Sequence, residues 1–198
     1  MILAREFFAA LREGQPTRIP QYDKSAFNGQ GDRVPITQWQ PVNKPFQPKI
    51  QVIILEGWSV GFRSLPPLEV ERKQVASLSS KTTSTLHTHR LEDLLFVNEK
   101  LREYDVMTDM FNAFIHIDAE QTKFVYDWRL EQEAALRREK GMGMSDDQVV
   151  RFVDGYYPAY ELFTDALRDG VLATKGQKGK QLRLIVGKDR RVKQVIEI

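Results

Sequence analysis

Apolar residues recur at helical spacing over residues 2–11, where Phe7, Phe8 and Leu11 form one stripe, and Gly14 and Pro16 stop the predicted helix. Periodicity then fades over residues 17–48, which are rich in Pro, Gly and Gln. A stretch this long without regular structure is usually functional in a compact domain. The run IQVIIL, residues 50–55, is apolar without full alternation, which predicts a strand buried on both faces, as in a parallel sheet. Residues 77–88 (SLSSKTTSTLHT) read as a Ser/Thr-rich loop. A helix is predicted over 91–104, with Leu94, Leu95, Asn98 and Leu101 on one face, then a second buried strand over 112–118 (NAFIHID) and a long helix over 120–140. Gly141-Met142-Gly143-Met144 breaks the chain. Ser145 with Gln148 forms a capping box that starts another helix, carrying Val149, Val150, Phe152, Val153 and Tyr156, with Pro158 expected to kink it. Residues 182–186 and 192–198 read as a hairpin about a turn at 187–190.

Strands alternating with helices predict an α/β fold with a largely parallel sheet. No repeat and no second domain is visible, so the 198 residues are expected to form one domain. Hydrophobic residues make up 41% and charged residues 28%, which speaks against disorder. The net charge of +2 does not call for nucleic acid or a membrane surface. The absence of cysteine excludes disulfide frameworks, thiolate zinc sites and cysteine nucleophiles. No apolar run approaches the roughly 20 residues of a membrane span, and residues 1–12 lack the features of a signal peptide. The chain reads as soluble and cytoplasmic.

Three stretches carry candidate chemistry. The first joins Tyr22, Asp23, Lys24 and Ser25 to Asn28-Gly29-Gln30-Gly31-Asp32-Arg33. A carboxylate there can accept a proton from a hydroxyl nucleophile, and Lys and Arg can neutralise phosphate or carboxylate. The same residues also suit a polar surface turn with a local Asp–Arg pair. The second is Glu56, just after the 50–55 run. An acidic group beyond the carboxyl end of a parallel strand is placed to hold Mg²⁺, or simply to pair with a nearby cation. The third is Trp128-Arg129-Leu130-Glu131-Gln132-Glu133, with Arg137 and Arg138, where Arg can clamp a phosphoryl group or remain solvated. His87 and His89 read as loop residues and His116 as a satisfied core residue. The basic tail, Lys175 to Lys193, lacks interleaved aromatics and reads as a solvated hairpin rather than a nucleic-acid patch.

Taken together, YDKSxxxGxGDRxP (Tyr22 to Pro35), LEGWxxGF (Leu55 to Phe62), WRLxQE (Trp128 to Glu133) and FVDxYxPxY (Phe152 to Tyr160) resemble the eukaryotic D-glycerate 3-kinase-like ATP-binding proteins, in matching order and spacing. These belong with uridine kinases, pantothenate kinases and phosphoribulokinases. The resemblance implies a P-loop kinase fold, a parallel sheet flanked by helices, that moves the γ-phosphoryl of ATP to a small hydroxylated acceptor, a hydroxy acid such as glycerate first among them, with Mg²⁺ as cofactor. It implies that Asp23 lies near the acceptor hydroxyl, Glu56 near Mg²⁺, Arg129 at the phosphates and the C-terminal hairpin near the adenine. Tyr22, Lys24, Asp32 and Arg33 are then candidates for substrate or phosphate binding. The chain departs from the pattern in one respect. No GxxxxGK[ST] loop occurs in it, and neither Gly29-Gln30-Gly31 nor 176–180 replaces one. The N-terminal strand and loop are therefore expected upstream of Met1, as with a truncated gene model. The other reading is an inactive remnant that binds a partner through an exposed sheet edge.

Overall fold

The computed structural model describes residues 1–79, 84–172, 176 and 178–198, without the side chains of 28 and 29. Part of the Ser/Thr-rich stretch and Lys175 of the basic tail thus lie outside the described residues. The chain divides into two compact units, residues 1–60 and 61–198.

In the first unit, α1 (Ile2–Arg12) buries Leu11, the last residue of the apolar stripe. The region expected to lack regular structure contains two short antiparallel ladders. β1 (Thr17–Ile19) pairs with β4 (Gln40–Val42), and β2 (Tyr22–Asp23) pairs with β3 (Asp32–Arg33) on either side of the one-turn helix α2 (Ala26–Gly29). Polar side chains hold these loops together. Trp39 is buried and donates from Nε1 to Val34 O at 2.8 Å, and Arg18 donates to Trp39 O at 2.9 Å. Buried Asn43 accepts the Ile50 N–H at 2.8 Å.

The strand expected at residues 50–55 is not formed. These residues pair with no strand, and Val52 and Ile54 are 75% and 88% exposed. A run that is apolar on both faces becomes a strand only where neighbours take its backbone groups and cover it. Among the described residues none does.

The second unit contains α3 (Pro67–Ser79), α4 (Leu91–Leu101), α5 (Asp105–Thr108), β5 (Phe114–Ala119), α6 (Phe124–Lys140), α7 (Asp146–Asp154), α8 (Tyr157–Gly170), β6 (Gln181–Val186) and β7 (Val192–Glu197). β5 runs parallel to β6, and β6 runs antiparallel to β7, so the mixed sheet holds one parallel pair with helices beside it. Phe62, Val70, Leu94, Leu101, Leu162, Phe163 and Leu167 form the main core. Asn98, on the apolar face of α4, is buried there because its amide brackets the Leu65 backbone, accepting from N at 2.8 Å and donating to O at 2.9 Å. The capping box is present at Ser145 and Gln148. Pro158 starts α8 instead of kinking a longer helix, because a proline in the first turn removes only an N–H that has no helical partner anyway.

The face of β5 reverses the expectation of a strand buried on both sides. His116 and Asp118 are buried, while Ile115 and Ile117 are 63% and 69% exposed. Among the described residues β5 pairs with β6 alone. No helix among them is long and apolar enough to cross a membrane.

Candidate active site

The β2–β3 ladder brings together five of the seven residues singled out from the sequence. Tyr22 stands opposite Arg33, and Asp23 opposite Asp32. Side chains directly opposite in an antiparallel pair share a face, so Tyr22 and Arg33 lie on one side and the two carboxylates on the other. Lys24 follows immediately. Asp23 Oδ1 accepts from Ser25 N at 2.8 Å and from Ser25 Oγ at 2.6 Å. These two bonds, the side-chain one first, hold the carboxyl below the usual carboxylate range despite a small opposing desolvation, with a further contribution from the Ala26 backbone. Asp23 is therefore ionised and fixed in orientation at neutral pH. Asp32 Oδ1 accepts its neighbour's Arg33 N–H at 2.7 Å. Lys24 and the Arg33 guanidinium have no ion-pair partner among the described residues, so the local Asp–Arg pair is not formed.

Gly31 closes the hairpin at φ 79°, and a Cβ there would lie 2.5–2.8 Å from the Tyr22 ring and hydroxyl. Tyr22 in turn donates from its hydroxyl to Gln30 O at 3.3 Å. Gly31→Ala should push the Tyr22 ring off the turn and destabilise the hairpin locally by about 1–3 kcal/mol, the usual strain of such a conformation. NMR checks this through loss of Tyr22 ring contacts to residues 30 and 31 and faster exchange of the Val34 amide, which bonds Gln21 O at 3.1 Å. An unchanged ring position contradicts it.

The remaining two residues stand apart in kind. Glu56 belongs to the first unit, is exposed, and has no hydrogen-bond or ion-pair partner among the described residues. Arg129 belongs to the second unit, on α6. It pairs with buried Glu133 at 2.5 Å, donates to Gln132 at 3.0 Å and lies 5.0 Å over the Phe152 ring. It is thus held by neighbours and is not a freely solvated helix arginine.

One cluster was not foreseen. Asp118, buried near the carboxyl end of β5, takes both Arg168 (Nε 2.8 Å, Nη2 3.0 Å) and Arg183 (Nε 2.8 Å, Nη2 2.6 Å). Burial alone would raise its carboxyl, but the hydrogen bond and charge of Arg168, the hydrogen bond of Arg183 and the nearby His116 outweigh that and hold it below the usual range. His116, two residues earlier on the same face, is buried as expected of a core residue. Its Nδ1, however, finds no partner among the described residues, so it is not satisfied. The only sequence signal was the spacing His-x-Asp, which puts two polar residues on one strand face.

Burial pushes the His116 imidazole below its ordinary 6.5. Asp118 opposes that shift, and Arg168 and Arg183 add to it. A lowered folded value means that the folded state binds the proton less readily than the unfolded chain. The stabilisation is complete above about pH 6.5, the unfolded value, and is lost as pH falls through the folded value. His116→Gln should flatten this first acid-sensitive stage in a denaturant series at pH 7, 6 and 5. Identical slopes for both proteins over that range rule the assignment out.

No protein-family model matches the chain. A Schizosaccharomyces pombe protein named as an uncharacterized kinase, mug58, is 37% identical over 154 residues, covering 77% of this chain and 51% of that protein. The chloroplastic D-glycerate 3-kinase of Arabidopsis thaliana is 33% identical over 157 residues, 79% of this chain and 30% of that protein. The solved D-glycerate 3-kinase of Cryptococcus neoformans matches with a TM-score of 0.82 at 31% identity, covering 98% of this chain and 64% of that one. The chain is a relative of the D-glycerate 3-kinases. It spans about half the length of the Schizosaccharomyces pombe protein, and less of the Arabidopsis one. The mixed sheet with its helices fits the α/β kinase fold of these relatives.

Proposed function

We propose that this chain serves an ATP-dependent kinase whose acceptor is a small hydroxy acid, with D-glycerate as the leading candidate. The observation that carries this reading is the β2–β3 hairpin, which presents an oriented, ionised carboxylate on one face and, on the other, Arg33, with Lys24 next in the chain, both without an ion-pair partner among the described residues. A hydroxy acid presents a carboxylate and a hydroxyl. Arg33, reaching with its long side chain round the edge of the short hairpin toward the Asp23 face, would with Lys24 take the carboxylate, bidentately at the guanidinium. Asp23 would orient the hydroxyl and accept its proton as the oxygen attacks the γ-phosphorus. The bond from that phosphorus to the β,γ-bridging oxygen breaks, and ADP leaves. Tyr22 and Asp32 would shape the two faces of the hairpin.

Arg129 would face the phosphates. Mg²⁺ brought in with the nucleotide needs only one or two protein carboxylates, the rest of its shell being water and phosphate oxygen. Glu56, exposed and without a partner among the described residues, fits that modest demand. The described residues hold no group of three His, Cys, Asp or Glu able to form a protein-only cage. Bound Mg²⁺ would neutralise charge on the phosphates.

The test is phosphoryl transfer from labelled ATP to a panel of D-glycerate, L-glycerate, uridine and pantothenate. It is run with the chain alone and with the chain joined to the part of the Cryptococcus neoformans enzyme that it does not match. Transfer to D-glycerate above the other acceptors in either arm supports the proposal. Transfer to none, or preference for a nucleoside, overturns it.

A further inference from the structure

Helix α6 is fastened along its whole length. Near its start Trp128 Nε1 donates to Lys188 O at 2.8 Å, and Arg190, over the Trp128 ring, pairs with Glu131 at 2.7 Å. Near its end Arg137 donates to Met144 O and to Asp146 at 2.7 Å. Between these ties sits Glu133, buried on a helix whose other acidic residues are half-exposed or exposed. Its carboxylate accepts from Arg129 Nη2 at 2.5 Å and from Met144 N at 3.3 Å. The chain passes so closely here that a Cβ on Gly143 would lie 3.2 Å from Glu133 Oε2.

A carboxylate in such a place is costly unless paired, and Arg129 is its one cationic partner among the described residues. The arginine is over-determined in return, with Glu133 and Gln132 taking one donor each from Nη2 and Nη1 and the Phe152 ring lying beneath the plane. A guanidinium has five N–H donors, so three remain. One of them, on Nε, is buried and without a partner among the described residues. A donor left unmet in a buried position marks a place for an acceptor.

We propose that Glu133 is a positioning residue, gripping Arg129 at Nη2 so that its remaining donors meet a nucleotide phosphate. This rests on the reading of Arg129 as the phosphate-facing arginine. Phosphate oxygens are the acceptors a planar fork of donors suits best. Glu133 touches no substrate and acts only through the arginine.

The probe is inorganic tripolyphosphate, titrated into this chain while the arginine side-chain Nε–H signals are followed by NMR, with Arg129→Lys used for assignment. Wild type should show a saturable shift of the Arg129 signal. Arg129→Lys and Glu133→Gln should each weaken binding about tenfold, the usual scale for loss of an orienting partner. Glu133→Gln should add nothing in the Arg129→Lys background, whereas a merely structural glutamate would weaken binding equally in both backgrounds and so overturn the proposal. Phe152→Leu, at a half-exposed ring, gives the same answer should Glu133→Gln fold poorly. No wild-type binding, or binding indifferent to Arg129→Lys, overturns the phosphate reading of Arg129 and the proposal with it. Binding that needs Arg129 but ignores Glu133→Gln and Phe152→Leu overturns the positioning role alone.

Discussion

Asp118→Ala should destabilise the second unit by about 3 kcal/mol, at the low end for removing one partner of a buried ion pair. Two guanidiniums converge on this single carboxylate, and both arginines are less than a third exposed, at 28% and 22%. Arg168 would retain only a weak contact to exposed Asp165 at 3.4 Å, and Arg183 would lose its carboxylate altogether. A loss of this size should lower Tm by roughly 10 °C. Much of the cost lies in the two cations left behind, so Asp118→Leu combined with Arg168→Met and Arg183→Met should recover most of it. Thermal denaturation of the single and triple variants decides the matter. Equal destabilisation of both would mean that packing at this position, and not charge, is what the wild type supplies. The depressed carboxyl also sets the second acid stage, because stability from Asp118 is present above about pH 4 and lost as pH falls through the folded value.

Asp23→Asn should slow phosphoryl transfer to D-glycerate by about 10²-fold while leaving ATP affinity close to wild type. The expectation sits at the low end of general-base effects for two reasons. Phosphoryl transfer draws mostly on positioning and electrostatics, and the Ser25 bonds that orient Asp23 also make it a weaker base. An amide can still accept from Ser25, so the turn should survive. What it loses is the ability to take the hydroxyl proton. Steady-state kinetics in the form of the protein that shows transfer should therefore reveal a fall in kcat with little change in KM for ATP. Turnover at the wild-type rate would return the Tyr22–Arg33 hairpin to being a surface turn.

Helices were the most legible part of this sequence because their signals are local. The Phe7-Phe8-Leu11 stripe and the Ser145/Gln148 box are complete within one or two turns. Strands depend on partners distant in sequence, and the errors fall there. IQVIIL has the composition of a central strand, but composition cannot supply neighbours, and without them it is exposed. NAFIHID, residues 112–118, reads as a strand and β5 (Phe114–Ala119) forms there, yet its buried face is the polar one. Only the fold reveals that Arg168 and Arg183, 50 and 65 residues later in the chain, arrive to neutralise Asp118.

The candidate site was legible to a different degree. Tyr22, Asp23, Lys24, Asp32 and Arg33 lie within a dozen residues, so a single hairpin unites them. Arg129 was visible as part of a motif, but Glu133 was not distinguishable from the other acidic residues of α6, because burial of one glutamate among several is decided by the 141–144 turn packed against it.

The most direct test of the account is to titrate D-glycerate into ¹⁵N-labelled protein and map the amide shifts. The account predicts saturable shifts at residues 22–25 and 30–34, abolished by Arg33→Gln and much weaker with L-glycerate. Shifts confined to other parts of the chain, or no shifts at millimolar D-glycerate, would contradict the assignment of the β2–β3 hairpin to the acceptor.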